Sequence, residues 1–224
     1  MAARSYGQYC GVTTAVELVT QRWALLIIRD LLVGPRRYTD LKQGLPKIPT
    51  NILSARLKEL QEGEVIRRVP LARCGLVYEL TEYGRELEPI VLALGRWGVR
   101  SMGEPKDDDI VTADSLTMAL RTAFRPDFAS VSLDFQIRVD GVELHAQVSD
   151  GELRVVQLAP PAPPVGGSLP SGEPALRFAT GRGIRHLIAG MLTPAEAVEQ
   201  DVVTILKGDL KLLERFTELF LIDA

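Results

Sequence analysis

The 224-residue chain has a net charge of −3 and is 46% hydrophobic and 25% charged, a composition that suits one large or two small cored domains and excludes a disordered or collagenous chain. No apolar run approaches the roughly 20 residues that cross a bilayer, and the first residues lack the basic-then-apolar order of a secretion signal. Cys10 and Cys74 are too few for a disulfide framework, so a cytoplasmic protein with reduced thiols and no membrane role is expected.

The charge is uneven. Residues 1–106 hold 16 Lys or Arg against 11 Asp or Glu, and residues 107–224 hold 10 against 18. A basic front half suits a polyanionic partner and an acidic back half avoids one. Chance unevenness over two domains is the plainer alternative.

In chain order, Thr13 or Thr14 can cap a first helix through Val19. Residues 21–33, with Trp23, Leu26, Ile27, Leu31 and Leu32, read as a well-buried second helix stopped by Gly34-Pro35. Residues 39–45 form a short third helix, and a turn of residues 46–49 leads to a fourth over residues 50–62. There Leu53, Leu57 and Leu60 fall at i, i+4 and i+7 and face inward, which turns Thr50, Asn51, Ser54 and Lys58 outward. Small polar residues at the front of an exposed helix suit insertion into a major groove; a plain surface helix is the bland alternative.

Residues 65–69 and 76–80 then read as two strands around a turn with Pro70, Arg73 and Gly75. Arg67, Arg68 and Arg73 make this hairpin basic, and Arg36, Arg37, Lys47, Arg56 and Lys58 add cations around the helices. A short helix, a turn, an exposed helix and a basic hairpin together describe a winged helix-turn-helix. The fourth helix would read bases while the hairpin holds phosphates. Residues 83–101 read as a fifth helix with an apolar stripe of Leu87, Ile90, Val91, Leu94 and Trp97. That stripe wants a partner, either a second copy of the chain or the back domain.

A boundary is expected over residues 102–109, with Gly103, Pro105 and three consecutive aspartates. Beyond it come a helix over residues 112–124, then strands over residues 128–139, 142–149 and 151–158, with Asp140-Gly141 and Asp150-Gly151 as tight-turn signals. A Pro- and Gly-rich loop (160–174), a strand (176–180), short helices (183–189 and 195–200), a strand (202–206) and a helix from Asp209 to Leu221 complete the chain. The expected class is α+β: an N-terminal winged helix-turn-helix over residues 1–102 and a C-terminal α+β domain with an antiparallel sheet over residues 110–224.

Three blocks carry a family resemblance. They are the stretch from Trp23 through Gly34-Pro35-Arg36-Arg37-Tyr38 to Leu41, the stretch from Ile48 through Arg56-Leu57 to Leu60, and the stretch from Val77-Tyr78 through Leu80-Thr81 and Gly84 to Leu87. In order and spacing these resemble the HxlR family of winged-helix regulators over about residues 8–100. The resemblance implies a homodimeric transcriptional regulator that binds an inverted repeat in double-stranded DNA, with the dimer contact at residues 10–20 and 83–101. Two departures stand out: Glu64 occupies a position where the family usually has Gly, with Gly63 one place early, and Pro49 stands where Ser is common. Cys10 sits where some HxlR-like proteins carry a sensing thiol, although a lone Cys more often serves as a small hydrophobe. A second, weaker resemblance joins residues 190–197, 204–209 and 212–220 to sterol-carrier-protein-2-like domains. It implies a cavity for a fatty or other apolar molecule, with Phe124, Phe135, Leu144, Phe178, Leu187, Met191, Phe216 and Phe220 as candidate lining; the alternative is that these residues fill a core.

An enzyme is not expected. His145 and His186 are the only histidines, and no HExxH, CxxC pair or G-x-S-x-G is present, so neither metal nor cofactor is expected. A lipid-binding carrier with an incidental winged helix is the competing reading.

Overall fold

A computed structural model describes residues 5–71, 75–128, 132–158 and 172–222. The chain divides into two compact units, residues 1–91 and 92–224.

The first unit contains α1 (Gly11–Val19), α2 (Ala24–Val33), α3 (Tyr38–Gly44), α4 (Thr50–Glu62), the hairpin β1 (Ile66–Leu71) and β2 (Gly75–Leu80), and α5 (Glu82–Arg85). The boundary between units falls within α6 (Glu88–Val99). The core of the first unit is aliphatic: Ile27, Ile28, Leu31, Leu41, Ile48, Leu53, Leu57, Leu60, Val65, Val77 and Leu80 are all buried. Each such side chain contributes about 1.5–3 kcal/mol by leaving water.

Two helices differ from the expected ones. The second begins at Ala24 because Trp23 sits in the left-handed region, with φ 81°, and forms the N-cap. The Arg22 guanidinium lies 5.4 Å from the Trp23 ring centre. The expected fifth helix is broken into α5 and α6. Pro89 explains the break, since it has no N–H to offer the Arg85 carbonyl and is tolerated in the first turn of a new helix.

The junction between α4 and the hairpin depends on two adjacent residues. Gly63 has an ordinary φ of −84°, yet a Cβ there would come within 2.4 Å of Leu18 Cδ1, so its bareness admits α1. Glu64 takes the left-handed turn, with φ 58°. At the other end of the hairpin, Thr81 Oγ1 accepts from the Gly84 amide at 3.0 Å and donates to the Glu64 carbonyl at 2.6 Å. A Cβ on Gly84 would lie 2.0 Å from the Val65 carbonyl oxygen, so only glycine fits there.

The second unit contains α7 (Ala113–Ala123), a 3-10 turn (Pro126–Phe128), β3 (Leu133–Val139), β4 (Val142–Ser149), β5 (Glu152–Gln157), β6 (Leu176–Thr180), α8 (Ile184–Ile188), α9 (Pro194–Glu199), β7 (Val203–Lys207) and α10 (Leu210–Leu219). Asp140-Gly141 and Asp150-Gly151 have positive φ at both residues, 45° and 84°, then 52° and 79°, as two-residue hairpin turns demand. Their strands pair antiparallel in the order β5-β4-β3. The sheet is nevertheless mixed rather than wholly antiparallel. β6 joins β3 in parallel, with Phe135 opposite Leu176 and Ile137 opposite Phe178, and β7 pairs antiparallel with β6. A parallel neighbour needs a crossover, and the long connection after β5 makes one possible. The strand expected from Phe128 starts only at Leu133: Pro126 opens a turn, and the Arg125 guanidinium lies 3.8 Å from the Phe128 ring centre. Val131 and residues 160–171 of the expected loop lie outside the described residues.

Replacing Glu64 with Gly is expected to raise stability by about 0.5–1 kcal/mol, because it relieves a left-handed residue that has a Cβ. Gly84→Ala is expected to cost about 2 kcal/mol or more, since backbone must move. Urea denaturation followed by circular dichroism measures both, and a neutral Gly84→Ala would show that the hairpin junction tolerates displacement.

Candidate nucleic-acid interface

The amphipathic register of α4 builds this site. Leu53, Leu57 and Leu60 are buried to 2% exposure or less, and Thr50, Asn51, Ser54 and Lys58 are exposed. Pro49 is the N-cap, and no side chain caps the helix; Thr50 does not replace the missing cap. The first-turn amides therefore face outward at the positive end of a helix of 13 residues, a setting that favours a phosphate oxygen.

The cations divide into two groups. Lys47, Lys58, Arg67 and Arg68 are exposed, and Arg37 is half-buried. Arg67 sits opposite Glu79 across the hairpin and pairs with it at 2.7 Å. Arg68 lies over the Tyr78 ring at 5.7 Å, Lys58 faces Glu62 at 3.6 Å, and Arg37 pairs with Asp40 at 3.1 Å at the start of α3. The Lys58–Glu62 pair is exposed on both sides, and such pairs are weak and readily exchanged for a phosphate, whereas Asp40 and Glu79 are only 15% and 18% exposed.

Two expected contacts are corrected. Arg36 is buried at 7% exposure. Its amide and carbonyl bond to Tyr78 at 2.9 and 2.7 Å, and its Nη1 donates to the Pro35 carbonyl at 3.0 Å. It adds a third edge to the hairpin instead of reaching out. Arg56 has a side chain only 15% exposed and pairs with Glu59 on its own helix. Its Nε is buried without a hydrogen bond among the described residues, so it braces α4 from the side. Arg73 and Cys74 lie outside the described residues.

One residue near the site was not anticipated. The Tyr38 hydroxyl lies 3.0 Å from the Thr50 carbonyl and 3.2 Å from Ser54 Oγ. The sequence offered no signal beyond a tyrosine at the head of α3, because the contact crosses the turn between two helices.

The apolar faces suited to a partner are also explicit. Neither α1 nor α6 has a buried residue. Val12, Ile90, Leu94 and Trp97 are exposed, with Trp97 at 69%. Cys10 is the N-cap of α1 and is exposed, and the amides of Thr13 and Val12 hold its thiol below the usual value.

In the second unit the candidate lining residues have separate fates. Phe135, Phe178, Phe216 and Phe220 are fully buried and touch one another, with ring centres 4.8–5.2 Å apart. Leu144 and Leu187 are buried with them, and Phe124 is half-buried, 5.7 Å from Phe220. Met191 is 57% exposed and is not lining. Gly190, at φ 64°, ends α8 with a left-handed turn that turns Met191 outward and gives the inward place to Leu192. His145 is buried against Asp134, and His186 bonds to Glu104 at 3.2 Å. Among the described residues no group of three or more His, Cys, Asp or Glu could hold a metal ion, and no single helix is long and apolar enough to cross a membrane.

The model of the HxlR-like helix-turn-helix family matches residues 18–106. The chain is similar to the uncharacterized HTH-type transcriptional regulator YvaP of Bacillus subtilis, with 35% identity over 85 residues that cover 37% of this chain and 79% of YvaP. It is also similar to the HTH-type transcriptional regulator YodB of the same organism, with 34% identity over 86 residues, 38% of this chain and 77% of YodB. The crystal structure of quinone-bound YodB from B. subtilis aligns with a TM-score of 0.37 at 33% identity, covering 41% of this chain and 98% of that one. On its residues 18–106 and its match to these relatives, the chain belongs to the HxlR-like helix-turn-helix family of DNA-binding transcriptional regulators.

Proposed function

We propose that the protein acts as a homodimer on an inverted repeat. In this reading Thr50, Asn51 and Ser54 meet base edges in the major groove, and Arg37, Lys47, Lys58, Arg67 and Arg68 hold phosphates, with Arg73 on the same hairpin. The observation that carries it is the setting of α4. Its leucines are all buried, its polar front is open, and a hairpin with two exposed arginines follows it in the chain. The dimer contact takes in residues 10–20 and 83–101, whose apolar side chains lie open on α1 and α6. Two-fold symmetry then sets two half-sites about one helical turn, roughly 34 Å, apart.

Residues 1–102 are the DNA-binding and dimerisation domain in this reading. Residues 110–224 are a sterol-carrier-protein-2-like domain that takes a fatty or other apolar molecule. The mixed sheet backed by the phenylalanine face of α10 supports that assignment. Because the rings already touch, such a molecule enters by parting α10 from the sheet. It alters DNA affinity only as far as it prefers one arrangement of the dimer. Protein purified under gentle conditions is expected to carry an apolar adduct in native mass spectrometry; a bare mass overturns this part of the reading alone.

Gel shifts with duplexes enriched from a random library test the division of labour. Asn51→Ala is expected to cost about 1–3 kcal/mol on the selected duplex and little on unrelated DNA. Removing Arg67 and Arg68 together is expected to weaken all duplexes alike and to flatten the salt dependence by roughly one unit of slope per lost contact. Identical profiles for the two variants would refute the assignment. Leu94→Glu with Trp97→Glu is expected to give a monomer by sedimentation velocity and to lose binding to the paired repeat; a dimer that survives both changes would move the interface elsewhere.

A further inference from the structure

The two arginines of the hairpin are adjacent in β1 but have different neighbours. Successive side chains of a strand point to opposite faces, and the register sets Glu79 opposite Arg67 and Tyr78 opposite Arg68. Arg67 Nε and Nη2 both lie 2.7 Å from the same Glu79 oxygen. Arg68 has no acidic partner among the described residues; its guanidinium lies over the Tyr78 ring.

The Arg67–Glu79 pair is lopsided, with the arginine side chain 63% exposed and the glutamate 18%. The guanidinium is open to a phosphate, but the carboxylate is largely out of water. A phosphate that takes Arg67 therefore leaves a half-buried carboxylate without its cation and beside a second negative charge. Lys58 and Glu62 differ, because both are exposed and Glu62 returns to water when Lys58 leaves it.

We propose that Glu79 limits the affinity of the hairpin for DNA of any sequence by holding Arg67. This rests on the reading of the hairpin as a holder of phosphates. Glu79 is a positioning residue, since its effect passes through Arg67. It keeps the sequence-independent share of binding low, so that more of the affinity comes from the base contacts of α4. It also softens the salt dependence. A carboxylate abandoned on DNA takes up a cation, which offsets the counterion released from the phosphate.

The test is titration of labelled duplexes with the full chain at roughly 50 and 200 mM salt, with one duplex selected from a random-sequence library and one unrelated to it. The proteins are wild type, Glu79→Gln, Glu79→Thr (which keeps a strand-forming residue), Glu62→Gln, and Arg67→Ala with Arg68→Ala. Both Glu79 variants are expected to bind both duplexes more tightly at the lower salt, by about two- to fivefold per protomer and so about four- to twenty-five-fold for a dimer. Their salt dependence is expected to steepen by up to about one unit of slope per protomer, with the melting temperature unchanged. Glu62→Gln is expected to gain less than about twofold per protomer. Unchanged affinity in both Glu79 variants would overturn the proposal. So would weaker binding with a lowered melting temperature, which reduces Glu79 to a brace of the hairpin. An equal gain from Glu62→Gln would overturn it too, because net charge alone would then account for the effect. If loss of both arginines left affinity and salt dependence unchanged, the phosphate-holding reading of the hairpin would itself fall; the other results leave that reading standing.

Discussion

The rotation of α4 about its own axis is fixed by Leu53, Leu57 and Leu60, each at 2% exposure or less. A helix turns through about 100° per residue, so burying that stripe determines which side chains stand outside. Asn51, Ser54 and Lys58 are outside because the leucines are inside. The stripe is held from several directions. Val65 accepts the chain from α4, with its amide bonded to the Leu60 carbonyl at 3.0 Å. Gly63 lets Leu18 of α1 approach, and Gly84 lets α5 close against the Val65 carbonyl. The polar face is therefore a consequence of the core, and damage to the core would erase it without touching a polar residue.

Charge alone does not identify the exposed cations of the candidate interface. Arg36 and Arg56 are as basic as Arg67 and Arg68, yet the first has its guanidinium on the Pro35 carbonyl and the second pairs with Glu59 on its own helix. Breaking a partly buried ion pair costs more than releasing an exposed one, because the abandoned partner loses its only compensation. Lys58 and Glu62 are exposed on both sides, where exchange for phosphate is cheap, and Arg67 is itself 63% exposed although its partner Glu79 is only 18% exposed. What separates the two groups is the exposure of the cation itself, 7% and 15% for Arg36 and Arg56 against 63% and 76% for Arg67 and Lys58.

Much of this was legible in the residues. The bounds of α4 and of β4 coincide with those read from periodicity, since each lies between strong punctuation: Pro49 and Gly63 for the helix, and the two Asp-Gly turns for the strand. The α+β class followed from the change of period after residue 109. Errors arose where a local pattern was overruled by a distant one. The apolar stripe of residues 83–101 is continuous, but Pro89 removes one backbone donor and splits the helix. The resemblance to sterol-carrier-protein-2-like domains put Met191 among the lining, but a single left-handed glycine turns it outward. The parallel pairing of β3 with β6 leaves no mark in either strand, because both sequences are equally suited to an antiparallel neighbour. Tyr38 was invisible for a related reason: its partners lie 12 and 16 residues away.

The segment that follows α6 is held by side chains of the second unit, to which it belongs. Residues 102–109 have the composition of a loose tether, with Gly103, Pro105 and three aspartates. In the structure Arg185 bonds to the Met102 carbonyl and to Glu104, with Nη2 2.6 Å from Oε1, and Arg182 bonds to the Lys106 carbonyl while pairing with Asp140 at 2.9 Å. His186 adds a hydrogen bond that, with the Arg185 charge, holds the Glu104 carboxyl below the usual carboxylate range. A group whose pKa is lowered by folding loses its contribution as pH falls through the folded value, so the Glu104 contacts are intact near neutrality and are lost as acid protonates its carboxyl. Residues 102–106 are therefore pinned by Arg182 and by Arg185 and His186 of α8 despite the composition of a loose tether.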